Sequence, residues 1–202
     1  MKVALIGASG QVGSRILAEL TSRGHIVTAI ARHPEKIAAG PGVIAKRGDV
    51  FDNDGLAALL KGHDAVISSV HFAASDPRIL IEAVRASGVN RYFVVGGAGS
   101  LEVAPGVKLI DTPEFPAIYK DEASKGAEFL ELLKQEKEIN WTFLSPSALL
   151  IAGERTGKFR LGKDQLLVND KGSSISYEDY AVALVDELER PAHPRQRFTV
   201  GY

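Results

Sequence analysis

Short apolar runs rich in valine and isoleucine alternate along the chain with segments whose apolar residues recur every three or four positions. In the segment after the first run, Val12, Ile16 and Leu20 fall on one face of a helix. Glycine or proline bounds most of these segments, as is typical of the ends of helices and strands. The pattern predicts strands at 2–6, 25–31, 42–50, 64–70, 91–97, 140–150 and 197–202, and helices at 11–23, 34–38, 53–62, 76–87, 116–136 and 176–190.

The alternation of strands and helices indicates a parallel sheet covered on both faces, because each right-handed connection between parallel neighbours needs a crossover helix. We therefore predict an α/β fold, a doubly wound parallel sheet of the Rossmann-like type with about seven strands. A length of 202 residues suits a single domain over the whole chain.

Two segments interrupt this alternation. Residues 97–116 show no clear periodicity, and loops of that length often carry function. Residues 156–170 are predicted to form a small hairpin or an irregular excursion. We expect the excursion to belong to a small substrate-side portion of the domain, at about 146–175.

Three regularly spaced glycines, Gly7, Gly10 and Gly13, lie between the first strand and the first helix. Glycine allows a sharp turn there, and its missing side chain lets backbone N–H groups and the positive helix end approach a pyrophosphate. Gly13 would let the helix pack close to the sheet. The alternative is a turn that merely needs glycine, but the position after the first strand of a parallel sheet favours dinucleotide binding.

The end of the second strand bears on which dinucleotide is bound. An acidic residue there would bind a ribose 2′-hydroxyl, whereas a basic residue accommodates a 2′-phosphate. The chain has Arg32 followed by His33, and no carboxylate before Glu35. NADP(H) is therefore predicted over NAD(H), and an Arg32→Glu variant should lose that preference. The alternative is an arginine that only ends the strand.

Ligands of open α/β sheets lie across the carboxyl ends of the strands, so residues at these ends are candidate cofactor contacts. Among the five histidines, only His71 follows a predicted strand closely enough to lie near the nicotinamide. The predicted cofactor contacts are Gly7, Ser9, Gly10, Gln11, Val12, Arg32, His33, Asp49, Val50, Ser68, Ser69, Val70, Gly97 and Ala98.

Composition narrows the choice of partner. The 24 basic residues nearly balance the 25 acidic ones, which argues against a nucleic-acid surface. Cysteine is absent, so disulfides, thiolate metal sites and a cysteine nucleophile are excluded, and the histidines lack metal-ligand spacing. No apolar run approaches the roughly 20 residues of a membrane span. We expect a cytoplasmic monomer or homodimer that acts on a small molecule, with no metal, nucleic acid or membrane.

Several stretches together carry a resemblance to a known family. They are ALIGASGQVGSRIL, Arg32, GDV at 48–50, the loop GGAGSLEVAPGVKLIDTPEFP and much of the chain from WTFLSPSALL onward. The chain resembles the bacterial NADH-flavin reductases, small NAD(P)-binding proteins among the atypical short-chain dehydrogenases, related to biliverdin-IXβ/flavin reductase and NmrA-like proteins. The resemblance implies a Rossmann-like core, bound NADP(H) and hydride transfer to a flavin (FMN or FAD) or another conjugated acceptor.

One departure from the wider superfamily bears on the chemistry. Short-chain dehydrogenases use Tyr-x-x-x-Lys on one helical face, where the lysine lowers the pKa of the tyrosine that transfers a proton. Here Tyr119 is followed by Lys120, whereas position 123 is alanine, so alcohol or ketone chemistry is not expected. Ser100, Tyr119 and Lys120 remain candidate catalytic residues that orient the acceptor or deliver a proton. The candidate substrate contacts are His71, Phe115, Ser145, Pro146 and Ser147.

Two other functions are compatible with these residues. The incomplete tyrosine and lysine pair also suits a non-enzymatic NADP(H)-binding redox sensor of the NmrA-like kind. A sugar-nucleotide epimerase relative is less favoured, because about 200 residues leave little material for a separate substrate domain.

Overall fold

A computed structural model describes all 202 residues, with twelve strands, five α-helices and several single 3₁₀ turns. The α-helices are α1 (Gln11–Ser22), α2 (Asn53–Leu60), α3 (Pro77–Ser87), α4 (Lys120–Gln135) and α5 (Tyr177–Glu189). The strands are β1 (Lys2–Ile6), β2 (Ile26–Ala31), β3 (Val43–Arg47), β4 (Ala65–Ser68), β5 (Arg91–Val95), β6 (Glu102–Ala104), β7 (Val107–Lys108), β8 (Asn140–Pro146), β9 (Leu149–Ile151), β10 (Arg160–Gly162), β11 (Ser174–Ser176) and β12 (Gln196–Gly201).

Eight of the strands form one sheet, in the order β10-β12-β8-β5-β4-β1-β2-β3. Seven of them run parallel, as predicted, while β10 pairs antiparallel with β12 at the edge. The doubly wound, Rossmann-like α/β fold is therefore confirmed, and its sheet has one strand more than expected. Strand β10 has only three residues, which is too short a segment to show a periodic pattern in the sequence.

Two hydrophobic cores cover the two faces of the sheet. Strand β1 supplies both, because its side chains alternate: Val3 and Leu5 enter one core, while Ala4 and Ile6 enter the other. Helices α1 and α5 bury their apolar sides in the first core, and α2, α3 and α4 bury theirs in the second. This arrangement leaves the carboxyl ends of the parallel strands along one edge of the molecule.

Helix ends follow the sequence signals. Asp52 caps α2 by accepting the Gly55 N–H at 3.0 Å, and Asp76 caps α3 by accepting the Arg78 N–H at 2.8 Å. Ser176 caps α5 in the same way. These side chains satisfy N–H groups that have no partner within the helix. Helix α1 differs, because its N-cap is Gly10 and has no side chain to offer.

The irregular segments differ most from the prediction. The predicted strand 140–150 is divided into β8 and β9, and β9 leaves the main sheet to pair with β11. The loop 97–116 contains the short hairpin β6–β7. Of the two forms predicted for 156–170, a hairpin or an irregular excursion, the structure has the irregular one, because β10 pairs with β12, about 40 residues further along the chain. No helix has both the length and the apolar character that crossing a membrane would require.

Candidate functional site

One cavity of about 590 Å³ lies at the carboxyl ends of β1 to β5. Its floor is the turn between β1 and α1, and its walls come from the segments that follow β2, β3, β4 and β5. Leu150 from β9, Tyr177 from α5 and Glu122 from α4 complete one end. The position is the crevice in which doubly wound folds bind their ligands, and the volume lies within the usual range of small-molecule sites.

The β1–α1 turn requires glycine at two positions for different reasons. Gly7 has φ of 81°, and a Cβ built there would lie 2.0 Å from the carbonyl oxygen of Ser69. Gly13 has ordinary helical geometry, but its Cβ would lie 2.1 Å from the carbonyl oxygen of Gly7. The two glycines therefore let β4, the turn and α1 approach one another closely.

The N-terminus of α1 faces the cavity with its backbone donors free. The N–H groups of Gln11 and Val12 make no hydrogen bond within the chain, and the first turn of α1 holds no acidic side chain. Unpaired N–H groups and the positive end of the helix dipole together attract an anion. The arrangement is suited to the diphosphate of a dinucleotide.

The end of the cavity beyond β2 and β3 carries a free cation and an aromatic ring. Arg32 is exposed and forms no ion pair with any carboxylate of the chain. Asp49 accepts the N–H of Phe51 at 3.0 Å, which fixes the turn after β3. The Phe51 side chain lines the cavity although Phe51 remains 58% exposed. His33 turns away and pairs with Glu35 at 3.1 Å.

The opposite end of the cavity is formed by residues from β5, β9 and α5. The Tyr177 hydroxyl donates to Oε1 of Gln11 at 2.6 Å, and the guanidinium of Arg15 lies 5.6 Å from the centre of the Tyr177 ring. Leu150 and Gly96, the residue after β5, also line this end. This end can therefore contact a flat, apolar group through an aromatic ring and an aliphatic side chain.

Glu122, in the first turn of α4, anchors the segment after β4. Its Oε1 accepts the Phe72 N–H at 2.8 Å and its Oε2 accepts the Ala73 N–H at 2.7 Å. Nδ1 of His71 lies 3.4 Å from the same carboxylate. The Phe72 ring packs against Gly126, where a Cβ would lie 2.7 Å from the ring. Glu122 thus holds one wall of the cavity in place.

The structure brings eleven of the predicted site residues together around the cavity. They come from four separate strand ends, and the shared edge of the sheet explains their convergence. These residues are Gly7, Ser9, Gly10, Gln11, Val12, Arg32, Asp49, Val50, Ser69, Val70 and His71.

Several other predicted residues do not line the cavity, and the serines among them form hydrogen bonds elsewhere. The Ser68 hydroxyl pairs with the Tyr92 hydroxyl at 2.9 Å, and burial raises the pKa of Tyr92 well above its usual range. Ser100 and Ser145 both accept hydrogen bonds from the guanidinium of Arg197, at 3.1 and 3.5 Å. The remaining residues of this kind are His33, Gly97, Ala98, Phe115, Pro146 and Ser147, whose hydroxyl donates to the Val200 carbonyl.

The two remaining catalytic candidates also lie outside the cavity. Tyr119 is 59% exposed and Lys120 is exposed at the start of α4. Ala123 packs against Gly99, since a Cβ built on Gly99 would lie 2.8 Å from the Cβ of Ala123. The tyrosine and lysine pair of short-chain dehydrogenases is therefore absent in geometry as well as in sequence.

Sequence reasoning missed thirteen of the 24 cavity residues, among them Phe51, Phe72, Glu122, Leu150 and Tyr177. Phe51 had a signal, because an aromatic residue directly follows the strand-end pair Asp49 and Val50. Glu122 and Tyr177 carried no comparable signal, because each reaches the cavity from a helix distant in sequence. Their roles become visible only once the helices are placed on the sheet.

Comparisons with known proteins agree with this geometry. A family model described as NAD(P)H-binding matches residues 7–191. The uncharacterized protein YwnB of Bacillus subtilis (strain 168) is 46% identical over 211 aligned positions, which cover 99% of this chain and 98% of YwnB.

Two solved structures are similar over the whole chain. One, from Bacteroides thetaiotaomicron and described as a "putative epimerase", is 46% identical with a TM-score of 0.94, covering 100% of this chain and 96% of that one. The other, from Streptococcus pneumoniae TIGR4 and described as a "putative NADH-flavin reductase", is 41% identical with a TM-score of 0.83, covering 100% and 99%. The resemblance to NADH-flavin reductases is thus confirmed, and the chain belongs to the NAD(P)H-binding family.

Proposed function

We propose that the chain is an NADP(H)-dependent reductase that transfers a hydride to a flavin or to a similar conjugated acceptor. The observation that carries this proposal is the single cavity that joins the N-terminus of α1 to Arg32 at one end and to Leu150 and Tyr177 at the other. The family match supports dinucleotide binding, and the Streptococcus structure is described as a "putative NADH-flavin reductase".

Each part of NADPH has a counterpart in the cavity. The free N–H groups of Gln11 and Val12 would hold the diphosphate, and Asp49 with Phe51 would flank the adenosine. Arg32 would bind the 2′-phosphate, because its guanidinium is exposed and forms no ion pair within the chain. Bound NADPH supplies the hydride from its nicotinamide ring.

The protein's own contribution to flavin reduction is mainly positional. It must hold two planar rings face to face and keep water out, since the redox chemistry belongs to the cofactors. The apolar end at Leu150 and Tyr177 is suited to that task. Leu150 belongs to the segment 146–175, and we propose that this segment forms the substrate side. The acceptor is a small molecule, and no paired tyrosine and lysine are needed to reduce it.

The cofactor preference can be tested with two matched arginine variants. In Arg32→Glu we expect the Kd for NADPH to rise about 10- to 100-fold, because a charge-assisted phosphate contact is replaced by repulsion. The Kd for NADH should change little. Arg47 is also exposed and ends the neighbouring strand β3, where it pairs with Ala31, but it lies outside the cavity. The Arg47→Glu variant therefore controls for the change in net charge. Equal effects of the two variants in calorimetry would refute the assignment of Arg32.

A redox sensor of the NmrA-like kind is the second candidate. One observation favours it: Tyr119 and Lys120 lie outside the cavity, and none of the predicted catalytic residues lines it. A sensor would bind NADPH tightly and report its state through a partner protein without turnover.

An acceptor screen at fixed NADPH separates the candidates. Steady oxidation of NADPH with FMN or FAD supports the reductase. Tight NADPH binding without turnover over a broad panel of acceptors supports the sensor. Mass spectrometry of ligands that copurify with the protein provides an independent check, and a nucleotide sugar among them would instead favour an epimerase.

A further inference from the structure

His71 lines the cavity, and one of its imidazole nitrogens has no partner in the protein. Its side chain is 88% exposed and lines the cavity, and its Nδ1 lies 3.4 Å from Oε1 of Glu122. No protein group bonds to Nε2. The Ser75 hydroxyl donates to the His71 carbonyl at 2.9 Å, which fixes the backbone of this residue.

Glu122 is itself held rigidly, because each of its oxygens accepts a backbone N–H from Phe72 or Ala73. A fixed carboxylate 3.4 Å from Nδ1 of the histidine leaves Nε2 available for proton transfer. Among the ionisable side chains that line the cavity, His71 is the one that pairs with a carboxylate.

The other ionisable groups near this wall are engaged elsewhere. Arg32 and Asp49 lie at the opposite end of the cavity, and the Tyr177 hydroxyl donates to Gln11. Asp76, the next carboxylate along the chain, accepts the Arg78 N–H at the start of α3. Glu122 is therefore the charged group that faces His71.

We propose that His71, oriented by Glu122, is a general acid that protonates the carbonyl oxygen of a quinone-type or enone acceptor. This inference rests on the proposed reductase function. NADPH loses a hydride and becomes NADP⁺, and the hydride adds to the conjugated acceptor. The electron pair that this addition places on the carbonyl oxygen takes the proton from Nε2 of His71, which then regains a proton from water.

Two classes of acceptor differ in their need for an acid from the protein. A flavin that accepts hydride at N5 can leave as a stable anion, so it needs no acid from the protein. A quinone or enone develops negative charge on an oxygen, and a donor within reach lowers that barrier. Loss of His71 should therefore slow the reduction of carbonyl acceptors and leave the rate of flavin reduction nearly unchanged.

The test compares the wild-type protein with His71→Ala on two acceptors, 1,4-benzoquinone and FMN, with the background reaction subtracted. We expect kcat for benzoquinone to fall about 100-fold or more, and kcat for FMN to change by less than about threefold. Added imidazole should restore the benzoquinone rate, because the exposed position leaves room for an external acid.

Binding of p-nitrophenolate to the NADP⁺-loaded protein gives a readout without turnover, because its absorbance reports protonation of an anionic oxygen. His71→Ala should weaken this binding about tenfold or more and abolish the absorbance change. Equal losses with both acceptors, no loss with benzoquinone, or no rescue by imidazole would overturn the role of His71 while leaving the reductase intact. Absence of wild-type turnover with every acceptor would overturn both proposals.

Discussion

Three glycine-to-alanine variants, two in the β1–α1 region and one just after α2, can separate backbone strain from steric exclusion. Gly7 has φ of 81° and no room for a Cβ, because the Ser69 carbonyl oxygen would lie 2.0 Å away. Gly62 has the same φ of 81° with no atom within 4 Å of a Cβ. Gly13 has helical geometry, but its Cβ would lie 2.1 Å from the Gly7 carbonyl oxygen. The set therefore contains strain alone, exclusion alone and both together.

The expected losses of unfolding free energy follow from these contacts. Alanine in the left-handed region costs about 1–2 kcal/mol, less part of a kcal/mol for the stiffer unfolded chain, so Gly62→Ala should lose about 1 kcal/mol. A Cβ that collides with a backbone carbonyl oxygen should cost about 3 kcal/mol, the upper end of the range for overpacking. Gly7→Ala should then lose about 4 kcal/mol. Gly13→Ala regains about 1 kcal/mol of helix propensity and should lose about 2 kcal/mol.

Urea unfolding measures these values directly, provided that the dependence of free energy on urea is unchanged among the variants. At about 3 °C per kcal/mol for a chain of this length, the melting temperature should fall by about 3, 6 and 12 °C for Gly62→Ala, Gly13→Ala and Gly7→Ala. If Gly7→Ala were no less stable than Gly62→Ala, the close approach of β4 to the turn would not be a determinant of stability. The order of the three variants is thus the decisive result.

Three further predictions concern other parts of the molecule. Hydrogen bonds from Arg155 lower the pKa of the buried Glu19. Glu19→Gln should therefore lose about 2 kcal/mol of unfolding free energy at neutral pH, measured by urea unfolding. The difference in unfolding free energy from wild type should close as the pH falls below 4.5, where wild type loses this contribution. Tyr177→Phe removes the bond to Gln11 and should raise the Kd for NADPH about threefold in calorimetry, with the melting temperature unchanged. Ala123→Lys should create no alcohol oxidation with NADP⁺, and activity on secondary alcohols would contradict the placement of Tyr119 outside the cavity.

Much of the fold could be predicted because local signals agree with it. Buried strands such as β1 appear as short apolar runs, and the caps Asp52, Asp76 and Ser176 begin the helices that the periodicity predicts. Strand β10 and the β9–β11 pair could not be found in this way. Each has three residues, and its partner lies far along the chain, so no local period reports it.

Local sequence signals also predicted one part of the candidate site and not the other. The residues that follow strands, such as Gly7, Arg32 and Asp49, were predictable because the carboxyl ends of parallel strands share one edge of the sheet. Glu122 and Tyr177 were not, because they enter from α4 and α5, whose contact with the cavity depends on how those helices pack. Ser68 and Ser145 do not line the cavity, because strand alternation turns their side chains into the interior, where they bond to Tyr92 and Arg197.

Ala123, which packs against Gly99, and its neighbour Glu122 lie in the first turn of α4. In the superfamily pattern a lysine at position 123 would lie on α4 and act with the preceding tyrosine, but here this position is an alanine whose Cβ would lie 2.8 Å from a Cβ built on Gly99. One residue earlier, Glu122 accepts the backbone N–H groups of Phe72 and Ala73. The first turn of α4 thus lacks the lysine and instead places a carboxylate beside His71. The first turn of α4 still serves the cavity, through a different residue.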